Sequence, residues 1–254
     1  MNECDEIAVT ESGNRTIKVL SSDGTYVRSF GTMGDKQGEF HFPTGIAFDP
    51  KNGNILVVDS NNHRVLLSSE QGEYLNHFGG EQGKLDHQLN SPSGLPVDSD
   101  CNVIAADSGN KAIKIFSLNG HFLHKIGEKG SFKRPWHCVQ YDNYLIVSDS
   151  VENCIKVFNK DGHFLYKFGK TGSGNGELNK PRFLSVNKAG HLMVCDDGNH
   201  RAQVFELSGK FLTKFGTKGR RKGEFNSGPV STAYLSDGRI VATDFGNSRI
   251  LIFE

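Results

Sequence analysis

Short apolar runs alternate with polar turns along the whole chain, and no window keeps the 3.6-residue period of an amphipathic helix. One representative stretch reads TGIAFDP, a Lys-Asn-Gly turn, NILVVDS, an Asn-Asn-His turn, RVLLSS, a Gln-Gly turn and EYLNHFG. Each run has about 4–6 residues, is rich in β-branched and aromatic types, and ends at Gly, Asn, Asp or Pro, which is typical of β-strands. The pattern predicts an all-β protein of short antiparallel strands.

The same unit recurs six times. Each copy has an acidic residue before a polar turn, called the anchor below; the anchors are Glu11, Asp59, Asp107, Asp149, Asp196 and Asp244. Successive anchors are 48, 48, 42, 47 and 48 residues apart, and an apolar residue followed by Gly lies 19 positions after each of the first five. Four short strands in each unit of about 40–50 residues predict the blades of a β-propeller. The Phe-Gly pair is expected to place a ring between blades.

Six anchors predict a six-bladed β-propeller, a single domain over residues 1–254. Its predicted blades lie at about 1–31, 40–79, 90–127, 133–169, 179–216 and 227–254. The first copy begins at its second strand and the last copy ends at its third, which gives 22 strands where six full blades have 24. The count predicts a domain that is incomplete at its N-terminus, with roughly 35–45 residues upstream of Met1 completing the ring.

Composition narrows the class of function. Lys+Arg and Asp+Glu both number 29, so the total charge does not require a nucleic-acid partner and any basic patch must be local. The five cysteines are scattered and form no Cys-x-x-Cys pair, which predicts buried, reduced thiols in a cytoplasmic protein. No apolar run approaches the ~18 residues of a membrane span, so no membrane partner is expected.

The linkers between blades differ in charge. The formal charge is −1 in residues 31–42, −1 in 79–90, +2 in 127–134, +1 in 169–180 and +3 in 216–228. The three linkers that enter blades four to six therefore carry +6 together. Basic groups can engage phosphates while aromatic residues stack on unpaired bases. The candidate RNA- or partner-binding residues are Arg64, Lys111, Lys133, Arg134, Trp136, His137, Arg182, Phe183, His200, Arg201, Lys218, Arg220, Arg221, Lys222 and Arg249.

A structural interpretation of these residues stays open. Trp136 and Phe183 can pack between blades, and the basic residues can be solvated or pair with the anchors. The anchors themselves are expected to accept hydrogen bonds from backbone N–H groups in the turn that follows. No catalytic group, metal site or cofactor is predicted: DSDCN lacks the Gly and Glu of a calcium loop, and no Gly-x-Ser-x-Gly occurs.

Several motifs carry a family resemblance. The triplets Asn62-His63-Arg64 and Asn199-His200-Arg201, with the linkers GDKQGEFHFPTGIAFD and GSGNGELNKPRFLSV, resemble the NHL repeat. The ending DGRIVATDFGNSRILIF looks most like the C-terminus of tripartite-motif NHL proteins. The resemblance implies recognition of RNA or a protein on one flat face, and a RING, B-box and coiled coil of a ubiquitin ligase elsewhere in the parent protein. The fourth turn, SVENC, and the last block, NSGPVST, depart from the pattern.

Two functions follow from these observations. The first is a non-catalytic propeller of a tripartite-motif-type E3 ubiquitin ligase or post-transcriptional regulator, which binds single-stranded or stem-loop RNA (mRNA) on its basic face. The alternative is a platform that recruits protein substrates for ubiquitination. No DNA specificity is inferred, and an enzyme is disfavoured because the chain shows no asymmetric cluster of carboxylates and histidines.

Overall fold

A computed structural model describes residues 5–127 and 130–254. Within these ranges the regular elements are strands and four single-turn 3-10 helices, without an α-helix. The chain divides into two compact units, Met1–Ile126 (unit 1) and Gly127–Glu254 (unit 2). The prediction of an all-β protein is confirmed.

Unit 1 contains three antiparallel sheets whose strands follow one another in chain order. The first sheet has β1 (Ile7–Glu11), β2 (Thr16–Leu20) and β3 (Tyr26–Phe30), and the following linker has a parallel pair, β4 (Thr32–Met33) and β5 (Glu39–Phe40). The second sheet has β6 (Pro43–Phe48), β7 (Ile55–Asp59), β8 (Arg64–Ser68) and β9 (Tyr74–Gly79). The third has β10 (Asn102–Asp107), β11 (Ala112–Ser117) and β12 (Phe122–Ile126).

Unit 2 repeats the arrangement. The fourth sheet has β13 (Pro135–Tyr141), β14 (Tyr144–Asp149), β15 (Cys154–Asn159) and β16 (Phe164–Phe168). The fifth has β17 (Pro181–Val186), β18 (His191–Asp196), β19 (Arg201–Glu206) and β20 (Phe211–Phe215), and a parallel pair follows, β21 (Thr217–Lys218) and β22 (Glu224–Phe225). The sixth has β23 (Pro229–Tyr234), β24 (Ile240–Asp244) and β25 (Arg249–Phe253).

The third sheet departs from the predicted four strands. Its first strand is reduced to one bridge between Val97 and Val103, although the N–H of Ala106 still donates to Gly94 O at 2.9 Å. Pro92 and Pro96 flank this segment, and proline has no N–H to contribute to a ladder. Pro92 stands where a proline begins the first strand of other sheets, such as Pro43 in β6, so the additional Pro96 explains why this strand is not continuous.

The second to fifth sheets are buried on both faces at their middle strands, and alternate side chains of each strand point to opposite faces. In β7, Ile55 and Val57 pack with Ile17 and Phe40 on one side. The intervening Leu56 and Val58 belong to the apolar cluster on the other side. All four side chains are fully buried, and each contributes roughly 1.5–3 kcal/mol relative to an exposed position. The continuous apolar run is therefore a strand between two neighbours.

The Phe-Gly pairs behave as the sequence predicts. Phe78 packs against Phe116 of the next sheet with ring centroids 4.9 Å apart. Gly216, which follows Phe215, has a φ of 90°, and an added Cβ there would lie 2.4 Å from the Phe225 ring. Only glycine satisfies both the left-handed backbone and this close approach.

Candidate functional site

One end of every sheet gathers the segments that carry the predicted cations. In the fourth sheet, β13 begins at Pro135, β14 ends at the anchor Asp149 and β15 begins at Cys154. Because neighbouring strands are antiparallel, these three points lie at the same end of the sheet. This end, where the linker from the preceding sheet arrives, is called the linker end below.

The anchors that are aspartates are fully buried at the linker ends. Asp196 is representative: it accepts hydrogen bonds from the Asn179 backbone N–H (2.7 Å), the Asn199 side-chain amide (2.9 Å) and Arg201 Nε (2.8 Å). The structural role predicted for the anchors is confirmed. Their backbone donors, however, lie chiefly in the preceding linker rather than in the following turn. The anchor thus fastens the linker to its blade.

Three of the predicted binding residues, Arg64, Arg201 and Arg249, lie five positions after an anchor and point their guanidinium groups inward. Arg201 Nη1 and Nη2 donate to three linker carbonyls, those of Ser173 (2.8 Å), Gly174 (2.8 Å) and Glu177 (2.9 Å). Arg64 and Arg249 make the equivalent contacts. The structure therefore favours the structural interpretation that the sequence left open for these arginines, pairing with the anchors, and it adds the contacts with linker carbonyls.

Blades without that arginine have a lysine two positions further on. The pairs are Lys18–Glu11, Lys114–Asp107 and Lys156–Asp149, with N–O distances of 2.8, 3.2 and 3.0 Å. Each copy of the repeat thus has Arg five, or Lys seven, positions after its anchor, and none has both. This alternation is visible in the sequence and is the signal that could have identified these residues as structural.

The environment of the lysine-paired anchors differs between blades. Burial raises the pKa of Asp107 despite the nearby Lys114 ammonium. For Asp149, burial also acts upward, but hydrogen bonds from the Lys133 backbone N–H and from Lys156 Nζ outweigh it, so the pKa is lowered.

Lys111 and His200 occupy equivalent turns in different units. Each follows a single-turn 3-10 helix and has a left-handed φ, 58° and 56°. Lys111 is exposed in unit 1, whereas His200 is half-buried in unit 2. Nδ1 of His200 is buried without a hydrogen-bond partner in the described part of the chain.

Trp136, the single tryptophan of the chain, lies at the linker end of the fourth sheet. The guanidinium carbons of Arg134 and Arg182 lie over its ring, 5.2 and 4.6 Å from the centroid, within the range of cation–π attraction. Nε of Arg182 also pairs with Asp197 at 3.0 Å. Burial raises the pKa of Asp197, against the opposing charge of Arg182. Arg134, Trp136, Arg182 and Asp197 form the Trp136 cluster.

His137 and Phe183, predicted at the rim, are each only 7% exposed. Their rings stack with centroids 4.5 Å apart, and His137 Nδ1 accepts the Leu184 N–H at 3.3 Å. Burial lowers the pKa of His137 to about 3, so this side chain is neutral. The prediction that these two residues present free faces at a rim is wrong, because side chains alternate along β13 and β17 and these two face the neighbouring blade.

The remaining candidates, Lys133, Lys218, Arg220, Arg221 and Lys222, are exposed on the linkers of unit 2. In the last linker, Glu224 accepts the Arg221 backbone N–H at 2.8 Å, and Arg249 holds the carbonyls of Arg220 and Arg221. The backbone is therefore fixed while the basic side chains are open to solvent. Glu128 and Lys129 of the fourth linker lie outside the described residues.

The last linker adjoins the Trp136 cluster. An added Cβ at Gly228 would lie 2.4 Å from the Asp197 carbonyl oxygen, so the end of this linker packs against the turn that carries Asp197. Asp197 in turn pairs with Arg182. These contacts bring Arg134, Trp136, Arg182 and the basic linker to adjoining linker ends of unit 2.

Hydroxyl groups occupy the corresponding positions of unit 1. Thr44 Oγ1 donates to the Ser93 carbonyl at 2.9 Å and lies 2.7 Å from Ser60 Oγ. Behind Thr44, an added Cβ at Gly45 would lie 2.8 Å from Gly94 Cα. The inner segments of the second and third sheets therefore approach each other backbone to backbone.

The described cysteines are Cys101, Cys138, Cys154 and Cys195, all buried and none in a disulfide; Cys4 lies outside the described residues. Burial raises the pKa of Cys138, and it raises those of Cys154 and Cys195 to about 12. Over residues 5–127 and 130–254, no group of three His, Cys, Asp or Glu residues is arranged to hold a metal ion. The helices in the same ranges are all too short to cross a membrane.

Two family models match parts of the chain. The NHL repeat matches residues 40–66 and 226–253, and a 6-bladed beta-propeller family matches residues 133–214. A search of curated proteins finds no significant match. Together with the six sheets, these matches define a six-bladed β-propeller that contains NHL repeats, as the sequence predicts.

Solved structures agree on the fold. Virginiamycin B lyase from Staphylococcus aureus is 15% identical, with 100% of this chain and 78% of that chain covered and a TM-score of 0.69. The WD40 beta propeller domain of Doa1 is 14% identical, with 100% and 90% covered and a TM-score of 0.66. A chain of a nidogen/laminin complex is 18% identical, with 98% and 93% covered and a TM-score of 0.69. At these identities the similarity establishes the fold and not the function.

Proposed function

We propose that this chain is a non-catalytic recognition propeller that binds single-stranded or stem-loop RNA at the linker ends of unit 2. The observation that carries the proposal is the set of exposed cations on two linkers of this unit, the one before the fourth sheet and the one before the sixth: Lys133, Arg134, Lys218, Arg220, Arg221 and Lys222. A localised set of cations attracts phosphates even when the net charge of the whole chain is zero.

The contacts of this surface favour phosphate binding over stacking on bare rings. Phe183 and His137 are buried, and two guanidinium groups already lie over Trp136. The Arg182 side chain stays partly exposed beside Asp197. A guanidinium plane can contact a phosphate or stack on an unpaired base. We therefore expect binding that depends strongly on salt and tolerates changes in RNA sequence.

The test reverses three charges on the last linker, Arg220→Glu, Arg221→Glu and Lys222→Glu. Fluorescence anisotropy with a labelled uridine-rich single strand and with a small stem-loop is expected to show binding by the parent and none by the variant. The backbone carbonyls that Arg249 holds are present in both, so circular dichroism should show the same fold.

A matched control reverses three exposed lysines at the opposite end of the same sheets, Lys160→Glu, Lys188→Glu and Lys210→Glu. This variant has the same net charge as the first and should retain RNA binding. Equal affinity of the parent and the Arg220/Arg221/Lys222 variant would show that the basic linker is not the RNA site.

A second function is favoured by the Trp136 cluster. Tryptophan and arginine are the residue types that most often dominate the energy of protein–protein contacts, and Trp136 is only partly buried. In this alternative the chain recruits protein substrates to a ubiquitin ligase, the role that the tripartite-motif resemblance implies. Capture of a partner that persists after nuclease treatment and is lost on Trp136→Ala favours this function over RNA binding.

A further inference from the structure

A cavity of about 410 Å³ lies in unit 1, and its lining includes none of the residues used in the RNA proposal. The linker before the third sheet, the turn after Asp107, β11 and β12 line this cavity, which is open to solvent. The residues that matter for its chemistry are Lys84, Asp86, Lys111, Ala112, Lys114 and Lys125. A volume of this size is in the range that small-molecule sites occupy, roughly 300–1,000 Å³.

The repeat explains why this cavity exists. Ala112 occupies the position five residues after the anchor, where three other copies have the inward-pointing arginine. In the fifth sheet the guanidinium of Arg201 fills the space between blade and linker and binds the carbonyls of Ser173, Gly174 and Glu177. In the third sheet Lys114 Nζ reaches only two of the equivalent carbonyls, those of Leu85 (2.8 Å) and Gln88 (2.6 Å). The space of a guanidinium is left empty beside Ala112.

The lining of this cavity is strongly basic. The positive charge of Lys114 is balanced by the buried Asp107 carboxylate, 3.2 Å from its Nζ. The other three lysines, Lys84, Lys111 and Lys125, are exposed, and the cavity wall includes one acidic residue, Asp86. Three ammonium groups against one carboxylate leave an excess of about two positive charges around one concave site, where low-dielectric walls strengthen the attraction for an anion.

The cavity lining also contains a neutral hydrogen-bond acceptor, the side-chain oxygen of Asn110. Asn110 lines the cavity, and its side-chain nitrogen donates to Gly83 O (2.6 Å) and to Asp107 Oδ2 (2.8 Å). These two bonds fix the orientation of the amide. Its Oδ1 is buried without a hydrogen-bond partner among the described residues, which offers a place for a hydroxyl donor of a bound molecule.

From these observations we propose that the third-sheet cavity binds a small phosphorylated molecule, with its phosphate held by Lys84, Lys111 and Lys125. Lysine ammonium groups bind phosphates as point charges. A guanidinium from a partner would also fit the vacated space, but the excess positive charge of the lining opposes it. The site is distinct from the RNA surface proposed on unit 2, and neither proposal depends on the other.

The first test fills the cavity without removing a cation. Ala112→Arg introduces the side chain that the second, fifth and sixth sheets have at this position, but beside Lys114, where those sheets have Leu or Gln, so circular dichroism and thermal unfolding first establish that the variant folds. Isothermal titration with inorganic pyrophosphate at low ionic strength should show binding by the parent and at least a tenfold weaker affinity for the variant. Because the variant has an added positive charge, unchanged or tighter binding would mean nonspecific attraction to surface lysines and would overturn the proposal.

The second test neutralises the lysines individually, by Lys111→Gln and Lys125→Gln, with Lys51→Gln as the control. Lys51 is an exposed lysine of unit 1 at the opposite end of its sheet. Each cavity variant should lose about three- to tenfold in pyrophosphate affinity, and the control should equal the parent. These substitutions are on the surface and keep the proposal testable if Ala112→Arg does not fold. Equal losses in all three variants, or no loss in any, contradict a defined site.

Further titrations identify the source of the phosphate and separate the two proposals. A phosphoserine peptide that binds with the same sensitivity to Ala112→Arg assigns the phosphate to a protein side chain, whereas binding of pyrophosphate alone assigns it to a small molecule. RNA binding should be unchanged in Ala112→Arg. Loss of RNA binding together with pyrophosphate binding would place both on one surface and overturn the distinct site.

Discussion

The two units use the same repeat but differ at the two residues after the proline of the inner segment. In unit 1 these are Thr44-Gly45 and Ser93-Gly94, and in unit 2 they include Trp136-His137 and Arg182-Phe183. The small pairs let the backbones approach and connect through hydroxyl groups. The large pairs stack rings between neighbouring blades and place guanidinium groups over a tryptophan.

The comparison shows which positions are free to diverge. Both units keep the buried anchor and its basic partner, Asp59 with Arg64 and Asp196 with Arg201, because the linker cannot be fastened without them. The residues after the proline take no part in fastening the linker, and their partners differ between the units: Thr44 hydrogen-bonds with Ser60, whereas Arg182 pairs with Asp197. A repeat protein of this kind can therefore change one surface without altering how its blades are held.

The largest expected effect comes from the feature that the units share. Asp196→Ala leaves Arg201 buried without its carboxylate and the Asn179 N–H without an acceptor, which should lower the free energy of unfolding by about 3–5 kcal/mol. Asp59→Ala in unit 1 should cost a similar amount. Urea denaturation measures both, with the exposed Asp161→Ala as a control expected within about 0.5 kcal/mol of the parent. If only a small free energy of unfolding were lost in either anchor variant, the anchors would not hold the linkers to the blades in the same way in the two units.

The next effect is a pH dependence of stability that arises in unit 2 from the buried His137. His137 has no titratable counterpart at Gly45, and burial holds its folded-state pKa at about 3 against an ordinary value of 6.5. Between these values the unfolded chain binds a proton that the folded chain does not, so stability falls as the pH falls, by at most ~1.4 kcal/mol per pH unit.

His137→Gln is the variant that tests this effect, because it keeps an acceptor for the Leu184 N–H. Between pH 6.5 and pH 4.5, its free energy of unfolding, measured by urea denaturation, should decline less than that of the parent. The difference between the two declines should be about 2–3 kcal/mol. The carboxylates contribute equally to both proteins. Parallel pH curves for the parent and the variant would show that the buried ring does not carry this dependence.

A smaller effect tests the close approach in unit 1. Gly45→Ala puts a Cβ 2.8 Å from both Gly94 Cα and the Ser93 carbonyl oxygen, and backbone cannot move as easily as a side chain. We expect a loss of about 1–3 kcal/mol in the free energy of unfolding. Gly13→Ala, whose Cβ would meet nothing within 4 Å, is the matched control. Equal stability of the two variants would contradict backbone-to-backbone packing.

The smallest expected effect concerns the Trp136 cluster. Its two cation–π contacts should together contribute about 1–2 kcal/mol. A double-mutant cycle between Trp136→Ala and Arg182→Ala isolates the coupling of one pair, expected at about 0.5–1 kcal/mol. A coupling of zero would mean that Arg182 is held by Asp197 alone.

The repeat itself could be predicted from the sequence, because the fixed offset from Asp59 to Phe78 and from Asp196 to Phe215 reports a rigid unit. Strand boundaries followed from turn residues and alternation. The interruption of the strand before Val97 could be predicted from Pro96, a second proline that the other copies lack in this segment. The basic character of the unit 2 linkers was likewise visible, since charge on an exposed linker does not depend on packing.

The details of the site could not be predicted in the same way. Arg201 and Lys222 are both basic residues near a turn; the spacing of five residues from an anchor marks Arg201 as different, but the burial of its guanidinium against the linker carbonyls is seen only in the structure. Phe183 and Trp136 both neighbour a proline, but their opposite orientations depend on the register of β13 and β17. The cavity beside Ala112 is space that a larger side chain fills in other copies. It is recognised only when the copies are compared in three dimensions.

The buried thiols can report local unfolding through the rate at which they are alkylated. A cysteine is alkylated as its thiolate and only when reagent reaches it, and both conditions fail for Cys138, Cys154 and Cys195 in the folded chain. The alkylation rate of each cysteine therefore measures how often the blade that contains it opens. Two of these sulfurs lie in the fourth sheet and one in the fifth, so peptide mapping of the label would distinguish fraying of one blade from concerted unfolding of both.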